Sequence, residues 1–303
     1  MSDVENWVVP HQGFNYLPDT VAVTAAHQVD KLLACGIDAD IFAGQVDPAF
    51  FIGIAIHAGI NSGISAEGNI NMLQSLRMHR PVLLDEALMV KGQILAVTEV
   101  PRGLRVATDV WFEDAHGQRV ISAPRTSLRP NPRRAESKSH SADVTDKDKD
   151  KYKAKDKAKD KDKGAGERPQ PVVDDLSALA FLASYQLTPE GVRAYSMEGN
   201  SIHYEMEPAQ KAGFRAPLIG GGMGVHFLMA ELWQAHKHSG GPQAFDAEIY
   251  FRRPIFWDDS VGVYSRADDQ TGWNAMALLK EDAQGKQKVG TEINLKLFKP
   301  GLI

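Results

Sequence analysis

The feature that most constrains the fold is a repeat at a spacing of about 170 residues, its two copies separated by a run of charge. Met78-His79-Arg80-Pro81-Val82-Leu83-Leu84-Asp85-Glu86 aligns with Phe251-Arg252-Arg253-Pro254-Ile255-Phe256-Trp257-Asp258-Asp259, and Glu113-Asp114-Ala115-His116-Gly117 aligns with Glu281-Asp282-Ala283-Gln284-Gly285. Each copy reads as a strand into an Arg-Pro turn, a second strand, a third ending at an acidic-Gly hairpin, and a last strand. Period-two alternation in TEINLKLF and NAMALL fits antiparallel strands with one buried face. A helix-forming stretch precedes each strand set, AFFIGIAIHAGINSGISA in the first copy and GVHFLMAELWQAH in the second.

Between the copies the sequence becomes DVTDKDKDKYKAKDKAKDKDKGAGERPQ. Alternating Lys and Asp with almost no apolar residues cannot bury enough surface to offset the entropy of ordering. The expected division is therefore an N-terminal half over residues 1–136, a charged disordered linker over 137–170, and a C-terminal half over 171–303. Interleaved aspartates cancel the potential of the lysines, and the chain's formal charge of −5 leaves no basic patch. Nucleic acid is not an expected partner. No apolar run reaches bilayer-spanning length, and the N-terminus lacks a basic start followed by an apolar stretch, so no membrane is expected and a cytoplasmic location is. Cys35 is the single cysteine and reads as a small core residue.

Chemistry concentrates in SMEGNSIHYEMEPAQKAGFRAPLIGGGM, residues 196–223. Glu198 and His203 form a candidate acid/base pair ahead of glycines that lead into an apolar helix. A carboxylate, an imidazole and free backbone amides suffice to deprotonate water, protonate carbon and hold charge on a carbonyl oxygen. Gly221 and Gly222 lack side chains, which lets an oxygen approach their N–H groups at the positive end of the helix dipole. Solvated loop neighbours would show the same Glu-His spacing, so the pair alone does not decide the function.

The wider order does more. Glu198, Asn200 and His203, followed by Ala212-Gly213-Phe214 and Pro217-Leu218-Ile219-Gly220-Gly221, resemble the signature of the MaoC-like (R)-specific enoyl-CoA hydratases, roughly G-D-x-N-P-x-H, A-G-F and P-apolar-apolar-H-G. The sequence departs from it at Met197, Glu198, Ser201 and Gly220. The resemblance implies an α+β double hot-dog fold, two halves each with a curved antiparallel sheet wrapped around a central helix, with the motif kept only in the second half. It implies a lyase of fatty acid metabolism that hydrates 2-enoyl thioesters or dehydrates 3-hydroxyacyl thioesters of CoA or an acyl-carrier protein. Glu198, His203 and Gly221 would be catalytic, and Asn200, Gly222 and Arg253 would bind substrate. No cofactor is implied, and a homodimer is allowed. Two rival readings are a hot-dog acyl-CoA thioesterase and a non-catalytic acyl-binding or partner subunit whose motif has decayed.

Several other residues have structural readings. The glycine-containing stretch His57 to Gly63 reads as core or acyl-tail pocket. Arg80 and Arg253 recur in both copies and are expected to anchor a strand start against Asp85 and Asp258, while Arg252, Arg253 and Lys237 are candidates for a CoA phosphate. Trp233, Trp257 and Trp273 read as core or pocket wall. His226, His236 and His238 have no carboxylate or cysteine to complete a set, so no metal is expected.

Overall fold

The structure, a computed structural model, describes residues 7–130, 169–196, 200–268, 272–282 and 284–301. The charged segment expected as a linker lies outside the described residues except for its last two, Pro169 and Gln170, whose carbonyls accept hydrogen bonds from Arg252 at 3.0 and 2.7 Å. These two positions are docked against the second half, contrary to the expectation that the whole linker is free of contacts.

The first half contains β1 (Asp19–Val21), α1 (Ala25–Ala34), α2 (Phe50–Asn61), β2 (Ile70–Met78), β3 (Leu88–Val100), β4 (Gly103–Glu113), β5 (Arg119–Ser122) and β6 (Arg125–Pro130). The second contains β7 (Ala180–Gln186), α3 (Pro189–Ser196), α4 (Met206–Lys211), α5 (Gly221–His236), β8 (Pro242–Phe251), β9 (Ser260–Asp268), β10 (Gly272–Glu281) and β11 (Gln287–Pro300). The repeat extends beyond the aligned segments. Thr24 caps α1 by accepting from His27 N–H at 3.1 Å, and Thr188 accepts from Gly191 N–H at 3.1 Å at the start of α3. Helix α5 starts three residues earlier than its apolar periodicity indicated, because the glycines themselves are helical.

Among the described residues, all the strands join one antiparallel sheet in the order β1-β3-β4-β5-β2-β8-β11-β10-β9-β7, with β6 pairing β2 and β4. The halves meet edge to edge where β2 pairs β8, from Leu73 opposite Tyr250 to Met78 opposite Phe245. Leu76, Met78, Phe245, Ala247 and Ile249 on the inward face of this seam are at most 1% exposed, and the pairing covers what would otherwise be two open strand edges.

Local chemistry explains the hairpins. In each copy the acidic residue accepts two backbone bonds, Asp114 from His116 and Gln118, Asp282 from Gln284 and Lys286, and the glycine that follows takes positive φ at +74° and +72°. The last strand of the first copy is broken where that of the second is continuous. Pro124 has no N–H for the ladder, so the chain divides there into β5 and β6, and the Pro124 carbonyl accepts from Ser75 N–H at 2.8 Å.

One contiguous core spans both halves, with α2 and α5 packed on the inner face of the sheet. Phe42 stacks on Trp233 at 5.4 Å between ring centres, and the Trp233 indole N–H donates to Gln45 at 3.2 Å. Trp233 is core, whereas Trp257 and Trp273 are partly buried against it. Cys35 is buried, and burial pushes its thiol far up. In the stretch from His57, Ala58 and Gly59 are core and His57 is exposed. No helix among the described residues is long and apolar enough to cross a membrane.

Candidate active site

The start of α5 is held by a short pairing with the turn after β8. Ile219 N–H donates to the Ile255 carbonyl at 2.9 Å, and Trp257 N–H to the Pro217 carbonyl at 3.0 Å. The first half repeats both bonds, Val46 to Val82 at 2.8 Å and Leu84 to Gly44 at 3.1 Å. The repeat therefore puts Asp47 where the second half has Gly220. Asp47, three residues ahead of α2, accepts from Ala49 N–H at 2.9 Å, and neither helix has a side-chain hydrogen bond at its N-cap, so the first-turn amides of α5 are without a side-chain acceptor.

Three side chains converge on the three successive glycines. His203 ends a 3-10 turn, Ser201–His203, and its Nδ1 lies 2.8 Å from the Leu218 carbonyl. A carbonyl only accepts, so Nδ1 carries the proton and the neutral ring keeps its lone pair on Nε2. That nitrogen would stand 4.0 Å from a Cβ placed on Gly220. Burial lowers the His203 pKa, with the Leu218 bond pulling weakly the other way. The imidazole thus faces the helix start with its unprotonated nitrogen. On the next glycine, a Cβ would come 2.7 Å from the Phe251 ring, and on Gly222 a Cβ would come 3.1 Å from the Tyr195 hydroxyl. Close approach, and not backbone conformation, excludes a side chain at Gly221 and leaves little room at Gly222, whereas a Cβ on Gly220 would make ordinary contact.

His203 faces Gly220, while Gly221 and Gly222 face Phe251 and Tyr195. Glu198 lies outside the described residues, between the end of α3 and Asn200. The Asn200 side-chain carbonyl caps the 3-10 turn by accepting from Ile202 N–H at 3.3 Å, so it positions His203 locally. Arg253 is exposed and donates to the Val289 carbonyl at 3.1 Å, while Arg252 is paired with the buried Glu292. The expected anchors differ from those observed. Arg80 pairs with Glu86 at 2.6 Å and Asp114 at 3.4 Å, not Asp85, because Asp85 turns away with φ +63°, and Asp258 is taken by Arg215 at 2.7 Å. A surface depression of about 490 Å³ lined by Arg193, Tyr204, Glu205, Met206, Glu207 and Pro208 flanks the His203 turn but includes neither His203 nor the glycines.

The sequence did not indicate Tyr195 at all. It also treated His226 only as a metal candidate, whereas that ring is bonded to Asp47 and Tyr195. Among the described residues, no three His, Cys, Asp or Glu side chains gather in a metal-binding arrangement.

The whole chain superimposes on solved structures at low sequence identity. HtdX from Mycobacterium tuberculosis is 17% identical with a TM-score of 0.63, over 94% of this chain and 98% of that one. A MaoC-like dehydratase from Phytophthora capsici is 16% identical with a TM-score of 0.62, over 93% and 96%. A further Mycobacterium tuberculosis protein, described as essential for bacterial survival during infection and as having a double hot-dog fold, is 14% identical with a TM-score of 0.58, over 94% and 95%. The chain has the double hot-dog fold. No family profile and no curated protein sequence matches it. At such identities the likeness of this double hot-dog chain to MaoC-like dehydratases carries the architecture, and the chemistry rests on the residues gathered at the start of α5.

Proposed function

We propose that this double hot-dog protein is a lyase that adds water across the double bond of 2-enoyl thioesters, or removes it from 3-hydroxyacyl thioesters, carried on CoA or an acyl-carrier protein. The observation that supports this most is the neutral His203, its Nε2 lone pair directed at a glycine-rich helix start whose amides have no side-chain cap.

In the hydration direction, His203 Nε2 takes a proton from water as the water oxygen bonds to C3 of the enoyl group. The displaced π electrons move onto the thioester oxygen, where the Gly221 N–H and the positive end of α5 hold the developing charge. Glu198, in its protonated form, delivers a proton to C2, and the proton on His203 then returns to Glu198 through solvent. Dehydration is the reverse. Asn200 keeps the His203 turn in place, Gly222 keeps the approach to the amides open, and the exposed Arg253 is available for a CoA phosphate.

Purified full-length protein given crotonyl-CoA and a longer enoyl-CoA tests the proposal by the absorbance of the conjugated thioester alongside an assay for free thiol. Loss of conjugation without thiol release is expected. Thiol release would mean thioester hydrolysis, and binding without either change would mean an acyl-binding subunit; both overturn the proposal.

A further inference from the structure

A chain of titratable groups beside the glycine turn is left unused by that mechanism. His226 Nδ1 lies 2.6 Å from an Asp47 carboxylate oxygen and its Nε2 lies 3.0 Å from the Tyr195 hydroxyl. The Asp47 and His226 side chains are both 0% exposed. Asp47 comes from the turn ahead of α2, His226 from the second turn of α5 and Tyr195 from the last turn of α3, so the chain crosses from the first half into the second.

The surroundings fix all three groups. The second Asp47 oxygen accepts from Ala49 N–H, and its own N–H donates to Gln28 at 2.8 Å. Phe50 packs edge-on against the imidazole at 4.6 Å. Lys31 Nζ donates to the Ala194 and Tyr195 carbonyls at 3.1 and 3.2 Å and so ties down the end of α3. Buried polar chains of this kind contribute no more stability than apolar packing of the same volume, so stability alone does not account for it. Its outer end does have a use. Gly222 and His226 are one turn apart on α5, and the Tyr195 hydroxyl lies alongside both, next to the first-turn amides.

We propose that the Tyr195 hydroxyl donates a second hydrogen bond to the thioester oxygen, and that Asp47 and His226 are positioning residues that turn its hydrogen toward that oxygen. The inference rests on the thioester-binding part of the proposed function. With the Asp47 carboxylate and His226 Nδ1 sharing a hydrogen bond at 2.6 Å, Nε2–H donates to the Tyr195 oxygen in the proposed arrangement, which leaves the phenol hydrogen directed outward. Burial raises the Tyr195 pKa well above its ordinary value, so the phenol stays a donor. No bond is made or broken at Tyr195; it stabilises the charge that hydration places on the oxygen.

The test uses the full chain with Tyr195→Phe, Asp47→Asn and the double variant, read by crotonyl-CoA turnover and by the infrared carbonyl stretch of bound butyryl-CoA, which cannot react. Losing one oxyanion donor costs roughly 100-fold in kcat. Tyr195→Phe is expected to show a loss of that size with KM nearly unchanged and a lowered Tm, because the buried His226 N–H loses its acceptor, while the protein remains folded at assay temperature. Asp47→Asn keeps an oxygen for Ala49 N–H and should reproduce the loss, and the double variant should be no slower than either single one. The bound carbonyl stretch should lie at lower frequency in the parent than in Tyr195→Phe. A Tyr195→Phe protein with parental kcat and an unchanged carbonyl stretch overturns the inference. If the parent binds butyryl-CoA but does not turn over crotonyl-CoA, the hydratase reading fails while the infrared comparison still decides the role of Tyr195. If butyryl-CoA does not bind at all, both fail. Should Asp47→Asn not fold, Tyr195→Phe carries both readouts alone.

Discussion

Gly221→Ala adds one methyl group where the structure has least room, and it leaves the proposed N–H donor in place. The new Cβ would lie 2.7 and 2.8 Å from two carbons of the Phe251 ring, against an ordinary carbon contact of about 3.5–4.0 Å. Either the ring or the helix start must therefore shift by about 1 Å. Overpacking of this kind costs about 1–3 kcal/mol, only partly offset by the better helix propensity of alanine, worth at most about 1 kcal/mol. The net loss of about 1–2 kcal/mol corresponds to a fall in Tm of a few degrees, measurable by calorimetry. The effect on catalysis should be larger, because a misplacement of about 1 Å can cost on the order of 100-fold in rate. Phe251→Leu removes the ring atoms concerned, so the Gly221→Ala/Phe251→Leu double variant should recover most of the Tm and most of kcat/KM on crotonyl-CoA. A Gly221→Ala protein with parental Tm and rate, or a double variant no better than Gly221→Ala alone, would refute the close-packing account of the glycine turn.

Other expectations follow from the same geometry. Residues 171–303 expressed alone would expose the β8 edge together with Phe245, Ile249 and Trp233, an apolar loss of roughly 5 kcal/mol or more. That fragment should aggregate and be inactive, and co-expression of residues 1–136 should restore both properties; a soluble, active fragment on light scattering and assay would show that the halves are independent. Glu198→Gln should lose at least about 100-fold in kcat while Glu198→Asp stays active, and an inert Glu198→Gln change would transfer the acid role to another carboxylate. Because burial depresses the His203 pKa below its unfolded value near 6.5, the folded state holds fewer protons there. Its contribution to stability is present above that value and is lost as pH falls through the folded pKa. The acid limb of kcat/KM should likewise lie below pH 6.5, and a limb above it would contradict the desolvated, neutral imidazole.

The parts of this fold that could be read in the sequence are those written in local chemistry. Asp114-to-Gly117 and Asp282-to-Gly285 state their turns outright, and the apolar runs of α2 and α5 state their burial. The break at Pro124 was also visible as a proline inside a strand pattern, yet the strong match of the second copy, which has no proline there, hid it. At the site, His203 and the glycines lie within one short segment, so their nearness in space is local. Asp47 and His226 are 179 residues apart, and nothing in either neighbourhood specifies the other. Tyr195 sits on an unremarkable amphipathic helix, and its hydroxyl gains meaning only when α5 passes beside it. The repeat, once laid over both helix starts, does put Asp47 at the position of Gly220, and that correspondence is the one signal by which the first half's contribution could have been found. Arg80 went to Glu86 in place of Asp85 because the choice between adjacent acids depends on backbone direction, which residue type does not report.

The central claim is that His203 at the glycine-rich start of α5 deprotonates water for addition to an enoyl thioester. Its most direct test is the crotonyl-CoA progress curve of the parent beside that of His203→Ala, at equal concentrations of protein shown to be folded by circular dichroism. The account predicts that the parent consumes the conjugated thioester without releasing thiol and that His203→Ala is slower by two orders of magnitude or more with its fold intact. A folded His203→Ala protein within a few-fold of the parent, or a parent that leaves the conjugated thioester untouched, would contradict it.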